Sequence, residues 1–191
     1  MQAPSQVPFG AAKRVLRYLQ GTMDYGIMYK FGGNLNLIGY SDSDWAGSID
    51  DMKSTSGYAF LFGSSICSWL SKKQSVVAQS TAEAEYVSTS KAISQAIWLR
   101  RIFEDIGEKK GTVLYCDNKS AIAIAKNPVS HERSKHISIK CHFIREAQKK
   151  GEIQLHYCQT GEQLADIFTK ALLREKIFYL RERIGVIKQM H

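Results

Sequence analysis

Apolar residues recur at helical spacing over residues 8–20, where Phe9, Ala12, Val15, Leu16 and Leu19 gather on one face. Gly21 then stops the helix. Two short runs that follow read as strands. Tyr25 to Lys30 ends at Gly32-Gly33, and Asn34 to Ser41 alternates around Leu35, Leu37 and Ile38. A loop rich in Ser, Asp and Gly spans Asp42 to Ser56. Tyr58 to Phe62 and Ile66 to Ser71 pattern as a hairpin turning at Gly63-Ser64-Ser65. From Thr81 to Ile106 the period becomes helical, with an inward stripe of Ala92, Ala96, Leu99, Phe103 and Ile106 closed by Gly107.

The run TVLYC, Thr112 to Cys116, is continuous in apolar character, as expected of a central strand covered on both faces. A short helix, Lys119 to Ala125, stops before Pro128. Residues 127–135 form a polar loop, Ile137 to Lys149 a helix and Ile153 to Tyr157 a strand. Thr160 and Gln163 have the spacing of a capping box, which predicts a helix from there to about Leu173. The tail, Arg174 to Ile187, reads as one more amphipathic helix. Trp69 and Trp98 fall inside these elements and are expected in the core. Three antiparallel strands followed by helix–strand–helix–helix–strand–helix predict an α/β fold with a mixed five-stranded sheet flanked by helices.

The chain has 191 residues, enough for one domain with a real core. Its 44% hydrophobic and 23% charged residues suit a soluble globular protein. No apolar run approaches the roughly 20 residues of a membrane span, and MQAPSQVPFGAAKRVLRYLQ lacks a signal-peptide core. An intracellular setting without membrane association is therefore expected. Cys67, Cys116, Cys141 and Cys158 are too widely spaced for a zinc knuckle and read as reduced thiols. A net charge of +8 favours a polyanionic partner, nucleic acid being the commonest.

Against that basic background, acids stand at the ends of apolar elements. Asp42 and Asp44 follow the second strand, and Glu83 and Glu85 open the long helix. Asp117 follows TVLYC, and Asp166 lies early in the capped segment. Convergent carboxylates are what phosphodiester hydrolysis by two divalent ions about 4 Å apart requires. Any one such acid is also what a helix N-terminus attracts on electrostatic grounds. Positions 85, 89, 92, 96, 99, 103 and 106 share one helical face, which puts Glu85 at the head of the inward stripe. Glu83 falls on a mixed face. Spacing alone does not separate Asp42 from Asp44.

Five strings in order resemble the RNase H domain of Ty1/copia-type retrotransposon polyproteins: YSDSDWAG from Tyr40, QSTAEAEYVS from Gln79, CDNKSAI from Cys116, SKHISIKCHFIRE from Ser134 and QLADIFTKAL from Gln163. AAKRVLRYLQGTMDYG resembles the segment that joins reverse transcriptase to that domain. The resemblance implies an RNase H-like fold with a D-E-D-D set, Asp42, Glu85, Asp117 and Asp166, as catalytic residues and metal ligands. Tyr40-Ser41-Asp42 matches the first acid of the family and favours Asp42 over Asp44. Two Mg2+ ions are implied, with Mn2+ as a substitute. Asp42 would bridge both, Glu85 and Asp117 would complete one site, and Asp166 the other.

The implied function is cleavage of the RNA strand of RNA–DNA hybrids during reverse transcription, in a cytoplasmic retroelement particle or the nucleus. The implied partners are the hybrid and the reverse transcriptase domain of the same polyprotein. Residues 1–30 would be a connector from the reverse transcriptase side, 31–175 the catalytic domain and 176–191 a helical tail. Ser43 and Asp44 would lie beside the scissile strand, and Asn118 and Ser120 at the nucleic-acid backbone. Trp45 is a candidate for packing against a sugar or base. Lys53, Lys72, Lys73, Arg133, Lys135 and Lys140 are candidates for phosphate contact. In one respect the chain departs from many cellular relatives: no histidine stands in Gln159 to Ala165, just before the fourth acid. His156 precedes that stretch, and His136 and His142 read as structural. The competing readings are a co-opted module that binds nucleic acid or protein without cutting, and another nuclease of the same fold such as an integrase or junction resolvase.

Overall fold

The computed structural model describes residues 6–32, 35–107, 111–126 and 143–189. The polar loop 127–135, the first part of the helix expected at Ile137 to Lys149, and Arg133, Lys135, His136, Lys140 and His142 lie outside the described residues. In chain order the elements are α1 (Gln6–Gln20), β1 (Tyr25–Ile27), β2 (Leu37–Asp44), β3 (Thr55–Phe62), β4 (Ser65–Lys73), α2 (Thr81–Asp105), β5 (Thr112–Cys116) and α3 (Lys119–Lys126). Helical residues 143–149, α4, follow, then β6 (Ile153–Tyr157), α5 (Arg174–Arg183) and β7 (Val186–Lys188).

Five strands form one sheet in the order β4-β3-β2-β5-β6. β2, β3 and β4 pair antiparallel, while β5 and β6 extend the sheet parallel to β2, so the mixed sheet expected from the element order is present. Alternation along β3 sends Phe60 to one face and Ala59 and Leu61 to the other. On the first face Phe60, Leu114 and Leu155 pack against Ala92, Ile93, Ala96 and Leu99 of α2, and Ile144 joins them. On the second, Ala59, Leu61 and Ile66 meet Leu164 together with Leu180 and Ile184 from the last helix and its end. Leu180 and Ile184 of the expected tail thus contribute to a core. Gly107 ends α2 in the left-handed region, at φ +93°, where a side chain would be strained.

Several boundaries differ from the pattern in the sequence. β2 runs on through Asp44, so Asp42 and Asp44 lie within the strand ladder and not beyond it. β1 takes no part in the main sheet; it pairs with β7, which lies where the sequence pattern continues a helix. The helix expected from Thr160 to Leu173 is instead two tight 3-10 turns, Thr160–Glu162 and Leu164–Phe168. Gln163 stands between the two turns, and its Oε1 accepts from Ala165 N at 3.2 Å. Its side chain is buried, and its Nε2 donates to the Ser41 carbonyl at 3.0 Å, a tertiary tie in place of a capping box. Trp69 and Trp98 are not core residues: they are 53% and 56% exposed, on the edge strand β4 and the outer side of α2. Ile106 is also exposed, past the point where α2 leaves the sheet. Among the described residues no helix is long and apolar enough to cross a membrane.

Candidate metal centre

Parallel pairing sets Ser41 of β2 opposite Cys116 of β5. The next residue along each segment is an acid, so Asp42, two residues inside the C-terminal end of β2, and Asp117, just past the end of β5, come side by side. Open α/β sheets build their sites at such ends. Asp42 is fully buried, and the Ser88 hydroxyl donates to its carbonyl at 2.6 Å, tying α2 to the strand.

The N-terminus of α2 supplies the third acid. Ser80 caps the helix by accepting from Glu83 N at 3.2 Å, and the Glu83 carboxylate accepts from Gln79 N at 2.8 Å. Glu83 is therefore held in a reciprocal cap at the surface. Two residues on, Glu85 is buried, and its Oε1 accepts from Ser43 N at 3.0 Å. The fourth acid, Asp166, sits in the second 3-10 turn, which Gln163 anchors to β2. That turn lies against β3 at Gly57, the residue paired with Asp42. A Cβ at Gly57 would come within 2.5 Å of Thr169 Cγ2 and 3.1 Å of Phe168 Cβ, so only glycine admits the turn at this height. Gly57→Ala should cost about 1–3 kcal/mol by overpacking. Urea unfolding measures this, and a change within about 0.5 kcal/mol would mean that the turn moves aside freely.

Two groups of metal-binding character result. Asp42, Asp117 and Asp166 present oxygens all within 4.8 Å of one another, and Glu85, Cys116 and Asp117 present ligand atoms within the same limit. Asp117 belongs to both. Asp44 belongs to neither: its carboxylate lies over Gly47, where a Cβ would collide with it. The donors are mainly carboxylate oxygens, which suit hard divalent cations. The Cys116 thiol, 4.0 Å from Glu85 Oε2, is pushed up to about 12 by burial and then by the charge of Glu85, so it enters as a neutral neighbour.

The acids repel one another in a partly dry pocket. Burial first, then the charges of Asp42 and Asp117, push the Glu85 carboxyl up to about 9. Asp117 is raised by burial and then by Asp42. Asp166 is raised by burial, against the opposing pull of Lys170. Carboxyls displaced in this way cluster at functional sites, and a cation bound among them would relieve the repulsion.

Lys170 and Thr169 were not singled out in the sequence, although both stand in QLADIFTKAL. The Lys170 ammonium lies 2.9 Å from Asp42 Oδ1 and 2.8 Å from Asp166 Oδ1. The Thr169 hydroxyl donates to the other Asp42 oxygen. The only local signal for Lys170 was its spacing of four residues from Asp166, which would pair the two on a helix.

The described residues among those proposed for substrate contact differ in exposure and in their partners. Ser43 is buried, with its N–H committed to Glu85. Trp45 is 46% exposed, and its indole N–H donates to Ala78 O at 3.1 Å, which holds the ring at the surface. The Asn118 side-chain oxygen accepts from Ala121 N at 2.9 Å at the start of α3, while Ser120 is exposed in the first turn. Lys72 is exposed. Lys73 pairs with Asp51 at 2.7 Å, and Lys53 reaches the same carboxylate at 3.7 Å.

No protein-family model matches the chain. Over 190 residues, 98% of its length, it is 43% identical to the Retrovirus-related Pol polyprotein from transposon RE2 of Arabidopsis thaliana, of which it spans 13%. It is 39% identical over 188 residues to the Retrovirus-related Pol polyprotein from transposon TNT 1-94 of Nicotiana tabacum, covering 97% of the chain and 14% of that protein. Among solved structures it resembles LC11-RNase H1 in its complex with an RNA/DNA hybrid, with a TM-score of 0.52 and 13% identity, covering 70% of this chain and 94% of that one. At that identity the structural likeness concerns the fold, and the Pol relatives carry the lineage. The chain is an RNase H-like domain related to the Pol polyproteins of copia-type retrotransposons.

Proposed function

We propose that this domain is a ribonuclease H, an endonuclease that hydrolyses the RNA strand of RNA–DNA hybrids during retrotransposon reverse transcription. The observation that carries the reading is the convergence of Asp42, Asp117 and Asp166, with Glu85 alongside, from four segments far apart in sequence. Asp42, Asp117 and Asp166 would hold one Mg2+, and Glu85 with Asp117 a second, so that Asp117 is the shared ligand where the resemblance implies Asp42. Mn2+ would substitute, since it accepts the same oxygen ligands. Bound there, the ions supply activation of the attacking water and stabilisation of the leaving 3′-oxygen.

The protein's own contribution is positioning. Ser43 N–H orients the Glu85 carboxylate, Ser88 fixes the backbone at Asp42, and Gln163 holds the Asp166 turn against β2. These ties set the acids before substrate arrives. Trp45, Ser120 and Lys72 stand exposed near the strand ends and serve as contacts for sugar and phosphate; Ser43, Asp44 and Asn118 line the approach. Lys73 joins them if it exchanges Asp51 for a phosphate. Arg133 and Lys135 complete the proposed set from outside the described residues. The net charge of +8 provides the long-range attraction for the hybrid. The reverse transcriptase domain of the same polyprotein is the proposed protein partner, inside the cell, in a retroelement particle or the nucleus.

A substrate panel tests the reading. Labelled RNA–DNA hybrid, duplex DNA, duplex RNA and a four-way junction are each incubated with the protein and Mg2+, Mn2+ or EDTA. The expected result is cutting of the hybrid's RNA strand alone, only with a divalent ion. Retention of the hybrid without cutting would instead identify a binding module, and cutting of duplex DNA or the junction a nuclease of another class.

A further inference from the structure

Among the acids of the centre, Asp42 is fully buried and Asp166 almost so, yet both share one cation. The Lys170 ammonium bridges Asp42 Oδ1 and Asp166 Oδ1, joining residues 128 and four positions apart from it in sequence. An ordinary surface ion pair four residues apart would not reach into a fully buried strand acid. Asp42 and Asp166 are also two of the three members of the group whose oxygens fall within 4.8 Å of one another. The lysine thus engages two carboxylates that a divalent ion in this group would also need.

We propose that Lys170 is a tethered counter-ion that fills the centre while no metal is bound and withdraws when a divalent cation arrives, so that it sets the centre's affinity for metal. The inference rests on the reading of these acids as a metal site. Without metal, clustered buried carboxylates repel, and a single ammonium donating to two of them reduces that repulsion. A cation bound at about 2.1 Å from those oxygens would stand too close to an ammonium that donates to the same atoms. Lys170 has the means to leave. Its side chain is 31% exposed, and its four-carbon stem is flexible and reaches solvent. Lys170 is therefore a positioning residue: it keeps Asp42 and Asp166 together until the metal takes over that task.

Metal binding without substrate tests this. Mn2+ affinity is measured by electron paramagnetic resonance of the free ion for wild type, Lys170→Met and Lys170→Arg. Arg174→Met serves as a control that removes a nearby exposed charge. A site occupied by its own lysine about 90–99% of the time binds metal about 10–100-fold more weakly than a vacant one. Lys170→Met should therefore tighten Mn2+ binding by that factor, Lys170→Arg should not, and the screened charge of Arg174 should matter less than about twofold. In EDTA the Lys170→Met protein should unfold at a lower temperature than wild type, and saturating Mn2+ should abolish the difference.

Equal or weaker Mn2+ binding by a folded Lys170→Met protein overturns the proposal while leaving the metal site standing. A wild type that binds no Mn2+ overturns both. Should Lys170→Met not fold in EDTA, the wild type alone decides. The side-chain ammonium resonance of Lys170 in nitrogen-15-labelled protein, identified by its absence from Lys170→Arg, should be visible in metal-free protein and disappear on adding Mg2+. Its persistence at saturation overturns the proposal.

Discussion

Asp42→Asn and Asp117→Asn should each reduce cleavage of an RNA–DNA hybrid by more than a hundredfold while leaving the circular dichroism spectrum intact. Loss of an outer partner already costs a metal site about 10–100-fold in affinity or activity. These two side chains are themselves candidate ligands, and Asp117 is shared by both groups of ligand atoms. Asp42 is also the acid that Thr169 and Lys170 both engage. The amide keeps shape and volume but removes the charge that a divalent ion requires. Both variants should also lose the rise in unfolding temperature that Mg2+ gives the wild type. Activity within tenfold of wild type in either variant would remove that acid from the chemistry. Glu83→Gln serves as the contrast, because its carboxylate is held in the cap of α2 and belongs to neither group of ligand atoms.

Metal-free protein should become less stable as pH rises, against the usual trend near neutrality. The Glu85 carboxyl is raised from 4.5 to about 9 by burial and by the charges of Asp42 and Asp117. Between those values the folded protein holds a proton that the unfolded chain releases. The stability linked to that proton is complete below about pH 4.5 and is lost as pH climbs through about 9. Asp117 and Asp166, also raised, act in the same sense. One unit of displacement corresponds to about 1.4 kcal/mol, so a fall on the order of a few kcal/mol is expected. Thermal unfolding in EDTA at about pH 5 and about pH 8.5 measures it. Saturating Mg2+, which binds the ionised acids, should flatten or reverse the slope. A metal-free protein that is more stable at the higher pH would contradict the electrostatic account of the centre.

What was legible in the sequence was what depends on neighbours along the chain. Alternation marked β3 and β4, and the continuous run TVLYC marked the central strand β5. The helical stripe pointed Glu85 inward, and the reciprocal cap that occupies Glu83 agrees with that. The resemblance chose Asp42 over Asp44, where spacing gave no preference, and the two carboxylates do point to different places. What failed depended on distant partners. Thr160 and Gln163 have the spacing of a capping box, but the Gln163 amide reaches Ser41, 122 residues away, and two tight turns replace the helix. Trp69 and Trp98 are large and apolar and sit in regular elements, yet lie on an edge strand and an outer helix face that nothing among the described residues covers. Lys170 had only its spacing of four residues from Asp166 to mark it until Asp42 was folded against it.

The small ribbon of β1 and β7 has a mechanical consequence. Tyr25 pairs with Lys188 and Ile27 with Val186, and Gln189 N donates to Asp24 O at 2.7 Å, so the strands entering and leaving the domain run side by side in opposite directions. Tension applied through these two ends loads the pairs in sequence, as in opening a zipper, and not all together in shear. The ribbon would peel first at low force, while the five-stranded sheet and the acids on β2 and β5 stay unloaded. A pull on these two strands would thus lengthen the molecule at its hem before the acid centre was disturbed.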